Sequence, residues 1–310
     1  MEAAQEVTPN VHSLHVKLDW FPQPYPPNVH LIIDGAEGAL IDAGFPDDQS
    51  YDARLEMLGA FPGVKVRYIV ITHHHFDHAS GARRLRAETG ARIVMHRDEA
   101  PLLARAAKEE LPSDVEVPED RKEFVEMTRK WRTEAADGAP DELVSDGDTL
   151  KIGGLTLRMV HTPGHTAGHL SPFLEEGRVL FAGDNVLGVG TTVVPPPPHG
   201  DMSQYIESLR KMQSLEADVM CCGHGPVVKE PNRKLQELID HRHEREEQIF
   251  ALAKEGRDTV KKMVRSIYPE LDKRLLGMAA SQVRSHLAKL ERDGRVRTAG
   301  DGDEMTIAVA

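Results

Sequence analysis

At 310 residues the chain can hold one large domain and a small one. Its 40% hydrophobic and 28% charged residues suit an ordinary soluble globular protein, and no apolar run approaches the ~20 residues of a membrane span. The formal charge of −12 is uneven: residues 231–310 carry 16 Lys/Arg against 14 Asp/Glu, net +2, so the rest holds −14 (−12 minus +2) and repels polyanions at long range. The first residues, Met1–Glu6, are acidic and lack the basic-then-apolar profile of a secretory signal. The two cysteines, Cys221 and Cys222, are neighbours and make a poor staple. Both observations point to a reducing, cytoplasmic setting.

In chain order, Val11–Leu18, Val29–Ile33 and Ala39–Ile41 read as strands separated by turn residues such as Asp34-Gly35. Phe21–Pro27 is too rich in proline for a central strand. Tyr51–Phe61 suits an amphipathic helix, and Tyr68–Ile71 is a short buried strand ending at Thr72. Helix Gly81–Thr89 and strand Arg92–His96 follow. Residues 98–140 turn to helical segments with charged faces, an insertion suited to a lid. Strands resume at Thr149–Ile152 and Leu155–Val160, joined by Gly153-Gly154, then Leu170–Leu174 and Val179–Phe181. Helix Met202–Leu215 and strand Val219–Cys222 close a first domain, residues 1–230. After Pro231 come helices 232–254, Thr259–Ile267 and Arg274–Arg292. Arg295–Thr298 with Glu304–Val309 can pair as a hairpin. Helix, helix and a two-stranded wing are the outline of a winged-helix module over 231–310. The order of elements favours a layered α/β architecture.

The decisive string is Thr72-His73-His74-His75-Phe76-Asp77-His78, directly after a buried strand. Alternate residues of an extended chain point the same way, so His73 and His75 can face one ion, while Asp77 and His78 in the following turn reach a second. Further donors sit at strand ends beside glycines that permit tight turns: His161 in His161-Thr162-Pro163-Gly164-His165-Thr166, Asp184 after Gly183, and His224 in Gly223-His224-Gly225. His73, His75 and His161 can then hold one ion, Asp77, His78 and His224 the other, with Asp184 bridging. Zinc suits this His/Asp set, so two Zn2+ are expected; iron or manganese fit similar ligands. A bridging hydroxide is the expected nucleophile, with Asp77 and Asp184 the expected catalytic carboxylates. Cys221 and Cys222 lie in an apolar strand and belong to the core.

Four motifs in this order (HxHxDH, HTPGHT, GD and GHG) resemble the metallo-β-lactamase superfamily over residues 11–228. The resemblance implies an αββα sandwich with metals at one edge, in an α/β (α+β) fold class. It also makes Asp42, in Leu40-Ile41-Asp42-Ala43-Gly44, a support of the metal loop from behind the ligands. Asp240–Ile249, the Ile267-Tyr268-Pro269 break and Ala279–Val296 resemble the winged-helix extension of β-lactamase-like-protein-2 relatives.

The remaining histidines divide. His165 and His169 can orient the His161 turn. His199, after four prolines, can contact substrate, and Trp131 is either lid core or pocket wall. His241 and His243 are i, i+2 in a helix, about 200° apart, and belong to the surface. Zinc β-lactamases generally lack an aspartate at the place of Asp184, which disfavours antibiotic hydrolysis. The favoured activity is hydrolysis of a small ester, thioester or lactone. The alternatives are a phosphodiesterase acting on single-stranded RNA and a winged-helix regulator whose metal domain only senses. Helix Ser281–Arg292 is expected to expose Arg284, His286, Lys289 and Arg292, interrupted by Glu291 and followed by an acidic wing tip. Val283, Leu287 and Leu290 form a stripe that needs a packing partner. Nucleic-acid binding is therefore disfavoured, no membrane contact is expected, and the stripe calls for packing against the main domain or against a second subunit in a homodimer.

Overall fold

The computed structural model describes residues 4–16, 18, 25–108 and 122–310. The chain forms two compact units, one of Met1–His161, Gly168–Gly190 and Ala217–Glu230, the other of Thr162–Ala167, Thr191–Glu216 and Pro231–Ala310. The second unit thus takes up two segments ahead of the expected 231–310.

In the first unit β1 (Gln5–Thr8), β2 (Val11–Leu14), β3 (Val29–Asp34), β4 (Glu37–Ile41), β5 (Lys65–Ile71), β6 (Arg92–His96) and β7 (Glu142–Val144) form one sheet in sequence order. Its first four strands are antiparallel neighbours, and β4 to β7 run parallel. A second sheet has the order β12 (Val219–Cys222), β11 (Val179–Gly183), β10 (Phe173–Leu174), β9 (Leu155–Arg158) and β8 (Thr149–Ile152), with β11 and β12 parallel.

The central strands are apolar runs because both faces of the sheet are covered. Leu31, Leu40, Ile69, Ile71, Ile93 and Met95 pack on one face with residues of α1 (Asp48–Gly59), α3 (Ala82–Thr89) and α4 (Ala100–Ala106). Their alternates Ile32, Ala39, Ile41, Val70 and Val94 meet Leu157, Leu174 and Phe181 of the second sheet. This alternation along each strand builds two cores from one sheet. A four-residue helix, α2 (Phe76–Ala79), carries the end of the histidine string.

Of the expected insertion, α5 (Lys122–Asp137) is described; the stretch 109–121 of the expected lid lies outside the described residues. Trp131 of α5 is 6% exposed and packs with Leu18, Phe45 and Phe76. Its ring centroid is 5.0 Å from that of Phe45 and 6.3 Å from that of Phe76. Trp131 is therefore core rather than a surface for substrate, and it braces the histidine loop through Phe76. Residues 21–24 of the proline-rich loop also lie outside the described residues.

In the second unit α6 (Met202–Gln213) begins at Asp201, whose carboxylate accepts the amides of Ser203 and Gln204. α7 (Pro231–Lys254), α8 (Val260–Ile267), α9 (Leu276–Arg292) and the hairpin β13 (Val296–Ala299)–β14 (Thr306–Val309) follow. The stripe Val283, Leu287 and Leu290 finds its partners inside this unit: Ile249, Met263, Val264, Val296 and Ile307. The expectation that His286 is exposed fails, because α9 buries a broader face and His286 has no accessible surface. No helix among the described residues is long and apolar enough to cross a membrane.

Candidate metal centre

Parallel pairing gathers the ends of four strands. β4 and β5 end side by side at Asp42 and Thr72-His73, and β11 and β12 end at Asp184 and Gly223-His224. Carboxyl ends of parallel strands are where loops can present side chains to one ligand. Two glycines make the close approach feasible. Gly183 has φ +48°, and a Cβ on Gly223 would lie 2.2 Å from Asp184 Oδ1.

Asp42 sits behind the histidine string, 2% exposed and at φ +62°. Its Oδ1 accepts the Thr72 amide at 2.8 Å, and its Oδ2 accepts the Thr72 hydroxyl at 3.0 Å and His78 Nδ1–H at 2.8 Å. Since the Thr72 hydroxyl donates to Asp42, it accepts from His73 Nδ1–H at 2.9 Å. One carboxylate thereby fixes the tautomers of His73 and His78 and leaves both Nε2 atoms as lone-pair donors. His224 is set the same way: its Nδ1–H donates to the Tyr25 carbonyl at 2.9 Å.

Asp77, His78 and His224 each present a ligand atom within 4.8 Å of the others, and His73, His75 and Asp184 do likewise. Asp184 stands in reach of both sets. Its Oδ1 lies 3.3 Å from His78 Nε2 and 3.5 Å from His224 Nε2. Asp77 Oδ2 is 3.3 Å from His224 Nε2, and His73 Nε2 is 3.0 Å from His75 Nδ1. Burial opposes charge on Asp77, yet His78 and His224 outweigh it and hold its carboxyl at about 2. Asp184 is held well below the usual carboxylate range, His224 and His78 again overcoming burial. Conversely, burial works against a proton on His224, but Asp184 and Asp77 raise it to about 10, and Asp184 and Asp42 raise His78. The two carboxylates thus favour positive charge at this point, which divalent cations would supply. Imidazole nitrogens and carboxylate oxygens converging on one point fit zinc, iron or manganese.

His161 departs from its expected place. Its amide donates to Asp146, it bridges Leu170, and its ring stacks on His96 with centroids 4.1 Å apart at 10°. The donors gathered near it are those of His96 and Asp98. His165, in the second unit, is buried and donates from Nδ1 to the Val193 carbonyl at 2.7 Å, which leaves Nε2 as its lone-pair nitrogen. His169 accepts the Asp184 amide at 3.2 Å and so holds the Asp184 turn. His199 is exposed on the segment after the prolines. His241 is half-buried rather than on the surface, and His243 contacts Arg210 at 3.3 Å.

Two supports were not anticipated. Glu99, with no accessible surface, takes the His74 amide at 2.9 Å, His74 Nδ1 at 2.5 Å and the Gly168 amide at 2.8 Å. In the sequence it is one more charge among Arg97-Asp98-Glu99, with no pattern to single it out. Asn28, also buried, donates to the Cys222 and Gly225 carbonyls at 2.9 and 2.8 Å and holds the His224 loop from both sides.

This site on these sheets defines a class. Residues 22–224 match the metallo-beta-lactamase superfamily, and the chain belongs to it. Residues 259–304 match the beta-lactamase associated winged helix domain. A "Beta-lactamase-like protein 2 homolog" of Caenorhabditis elegans is 32% identical over 87% of this chain and 80% of its own length. An "Atrochrysone carboxyl ACP thioesterase" of Aspergillus fumigatus is 30% identical over 72% of this chain and 58% of its own. A metallo-beta-lactamase family protein from Thermus thermophilus superposes with a TM-score of 0.74 at 25% identity, covering 98% of this chain and 99% of the other.

Proposed function

We propose that the enzyme uses two divalent ions, zinc by preference, to hydrolyse the carbonyl of a small ester, thioester or lactone. The observation that carries this reading is the pair of donor sets, His73/His75 and Asp77/His78/His224, with Asp184 in reach of both. When bound, such ions supply a hydroxide nucleophile near neutral pH and polarise the attacked carbonyl. The chain's own part is to hold the donors still: Asp42 and the Tyr25 carbonyl fix the tautomers, and His169 fixes the Asp184 turn. The His161 ring is stacked on His96 and the His165 Nδ1–H is held by the Val193 carbonyl, and metal analysis of both variants decides which histidine completes the His73 side.

A thioester is supported by the relative named as a thioesterase. RNA is disfavoured because three cations of α9 and the wing, Lys289, Arg292 and Arg295, are paired within the second unit. Lys289 pairs with Glu246 at 3.0 Å and Asp293 at 2.7 Å, Arg292 with Asp201 at 2.7 Å, and Arg295 with Glu247 at 2.6 Å.

The test assays the purified full-length protein on acyl-thioesters, lactones and single-stranded RNA, with metal analysis of the same samples. Two ions per chain and turnover of a carbonyl substrate are expected, with one ion lost in Asp184→Ala and in one of His161→Ala and His165→Ala. A single ion in the wild type refutes the dinuclear reading, and cleavage of RNA alone replaces the carbonyl substrate with a phosphodiester.

A further inference from the structure

The second unit contains a cavity of about 360 Å3, within the ~300–1,000 Å3 range of small-molecule sites. Two helices furnish its polar wall. His241 and Arg242 lie four and three residues before Arg245 on α7 and so each shares a face with it, and Gln282 and His286, one turn apart on α9, line the same cavity.

These groups are buried beyond their hydrogen bonding. Arg242 is 3% exposed; its Nη2 donates to the Thr192 carbonyl at 2.8 Å, but its Nε has no partner. Arg245 Nη1, both ring nitrogens of His286, His241 Nδ1 and Gln282 Oε1 are also buried without partners. Each such group costs roughly 1–3 kcal/mol if nothing meets it. Most of them are N–H donors, and two belong to guanidinium ions that carry charge at every ordinary pH.

The neighbouring carboxylates do not answer them. Glu246 is taken by Lys289 at 3.0 Å and Glu247 by Arg295 at 2.6 Å. His286 accordingly feels burial first and then Arg242 and Arg245, which together push it down to about 3. The rest of the lining differs in character: Leu271, Leu275, Met278 and Ala279 belong to it, with Leu275 43% and Met278 47% exposed. Large side chains left exposed beside a cationic wall call for a ligand that has both an apolar body and a negative head.

We propose that this cavity binds a small amphipathic anion, its head group received by Arg242, Arg245 and His286 and its apolar body lying along Leu275 and Met278. None of the residues proposed to receive the anion is a candidate metal donor, and the proposal stands independently of the function proposed above.

The test is calorimetric titration of the full-length protein at pH 7 with octanoate, octyl phosphate and the neutral octanol. At least one anion is expected to bind ten times or more tightly than octanol, and the tighter of the two identifies the head group as carboxylate or phosphate. Arg245→Met, at a half-buried position that tolerates a straight apolar chain, should weaken that anion at least tenfold while leaving octanol unchanged. Binding should persist in His75→Ala, which removes a metal donor. In histidine-labelled protein, the His286 ring resonances should shift on binding. Octanol binding as tightly as both anions, wild-type anion affinity in Arg245→Met, or loss of binding in His75→Ala would each overturn the proposal.

Discussion

Replacing Asp42 by Asn tests whether one carboxylate organises the metal donors. The oxygen that accepts the Thr72 amide can be kept, and Asn tolerates the left-handed φ of +62° better than other residues. The second oxygen becomes an NH2 group facing two donors, the Thr72 hydroxyl and His78 Nδ1–H. His78 must then move its proton to Nε2 or swing away, and the His73 chain through Thr72 is broken at its last link. A hydrogen bond to a charged group is worth about 1.5–3 kcal/mol. Losing such support behind a ligand typically costs 10–100-fold in metal affinity, or about 1.4–2.8 kcal/mol. Competition against a chromophoric chelator measures this directly, with far-UV circular dichroism confirming the fold. Affinity within twofold of wild type in a folded Asp42→Asn protein would refute the role assigned to Asp42.

Gly223→Ala puts a Cβ at 2.2 Å from Asp184 Oδ1 and 2.9 Å from the Gly183 backbone. It should lose one ion and at least 100-fold in turnover, with an overpacking cost of about 1–3 kcal/mol; two ions retained at normal affinity would contradict this. His30 governs a pH effect, since burial pushes it down to about 3 against an unfolded value near 6.5. Between those values the unfolded chain takes up a proton that the folded chain refuses, so stability falls as pH falls, by about 1.4 kcal/mol per unit. Urea unfolding at pH 7.5 and 5.0 should therefore show a drop smaller by about 2 kcal/mol in His30→Gln, whose amide can still donate to the Cys222 carbonyl. An equal drop in both proteins would mean that His30 is protonated in the fold.

The strands of the first unit were legible because burial on both faces writes them as apolar runs. β1 and β7 were not, since Gln5–Thr8 and Glu142–Val144 are short and partly exposed, and pairing alone makes them strands. Six candidate metal donors were readable from residue type and position at strand ends, and the structure gathers them in two sets. His161 was not, because two histidines share one turn and spacing does not say which way a ring faces once Asp146 and Leu170 have fixed the backbone. The broader buried face of α9 was hidden for a similar reason. A stripe of Val283, Leu287 and Leu290 predicts one neighbour, whereas side chains from α7, α8 and the hairpin all pack on it and bury His286 as well.

The four strand ends at the site belong to two different sheets, joined otherwise by side-chain packing of Ile32, Val70, Phe181 and their neighbours. A cation shared by His78, on the β5 side, and Asp184 and His224, on the β11–β12 side, is consequently a clasp across the sandwich. At a hundredfold excess over its dissociation constant, one such ion adds about 2.7 kcal/mol to the folded state. The same clasp opposes any breathing that separates the sheets at that edge, so hydrogen exchange along β5 and β11 should slow as metal is added. A cation at this position would thus serve the chemistry and the closure of this edge of the sandwich together.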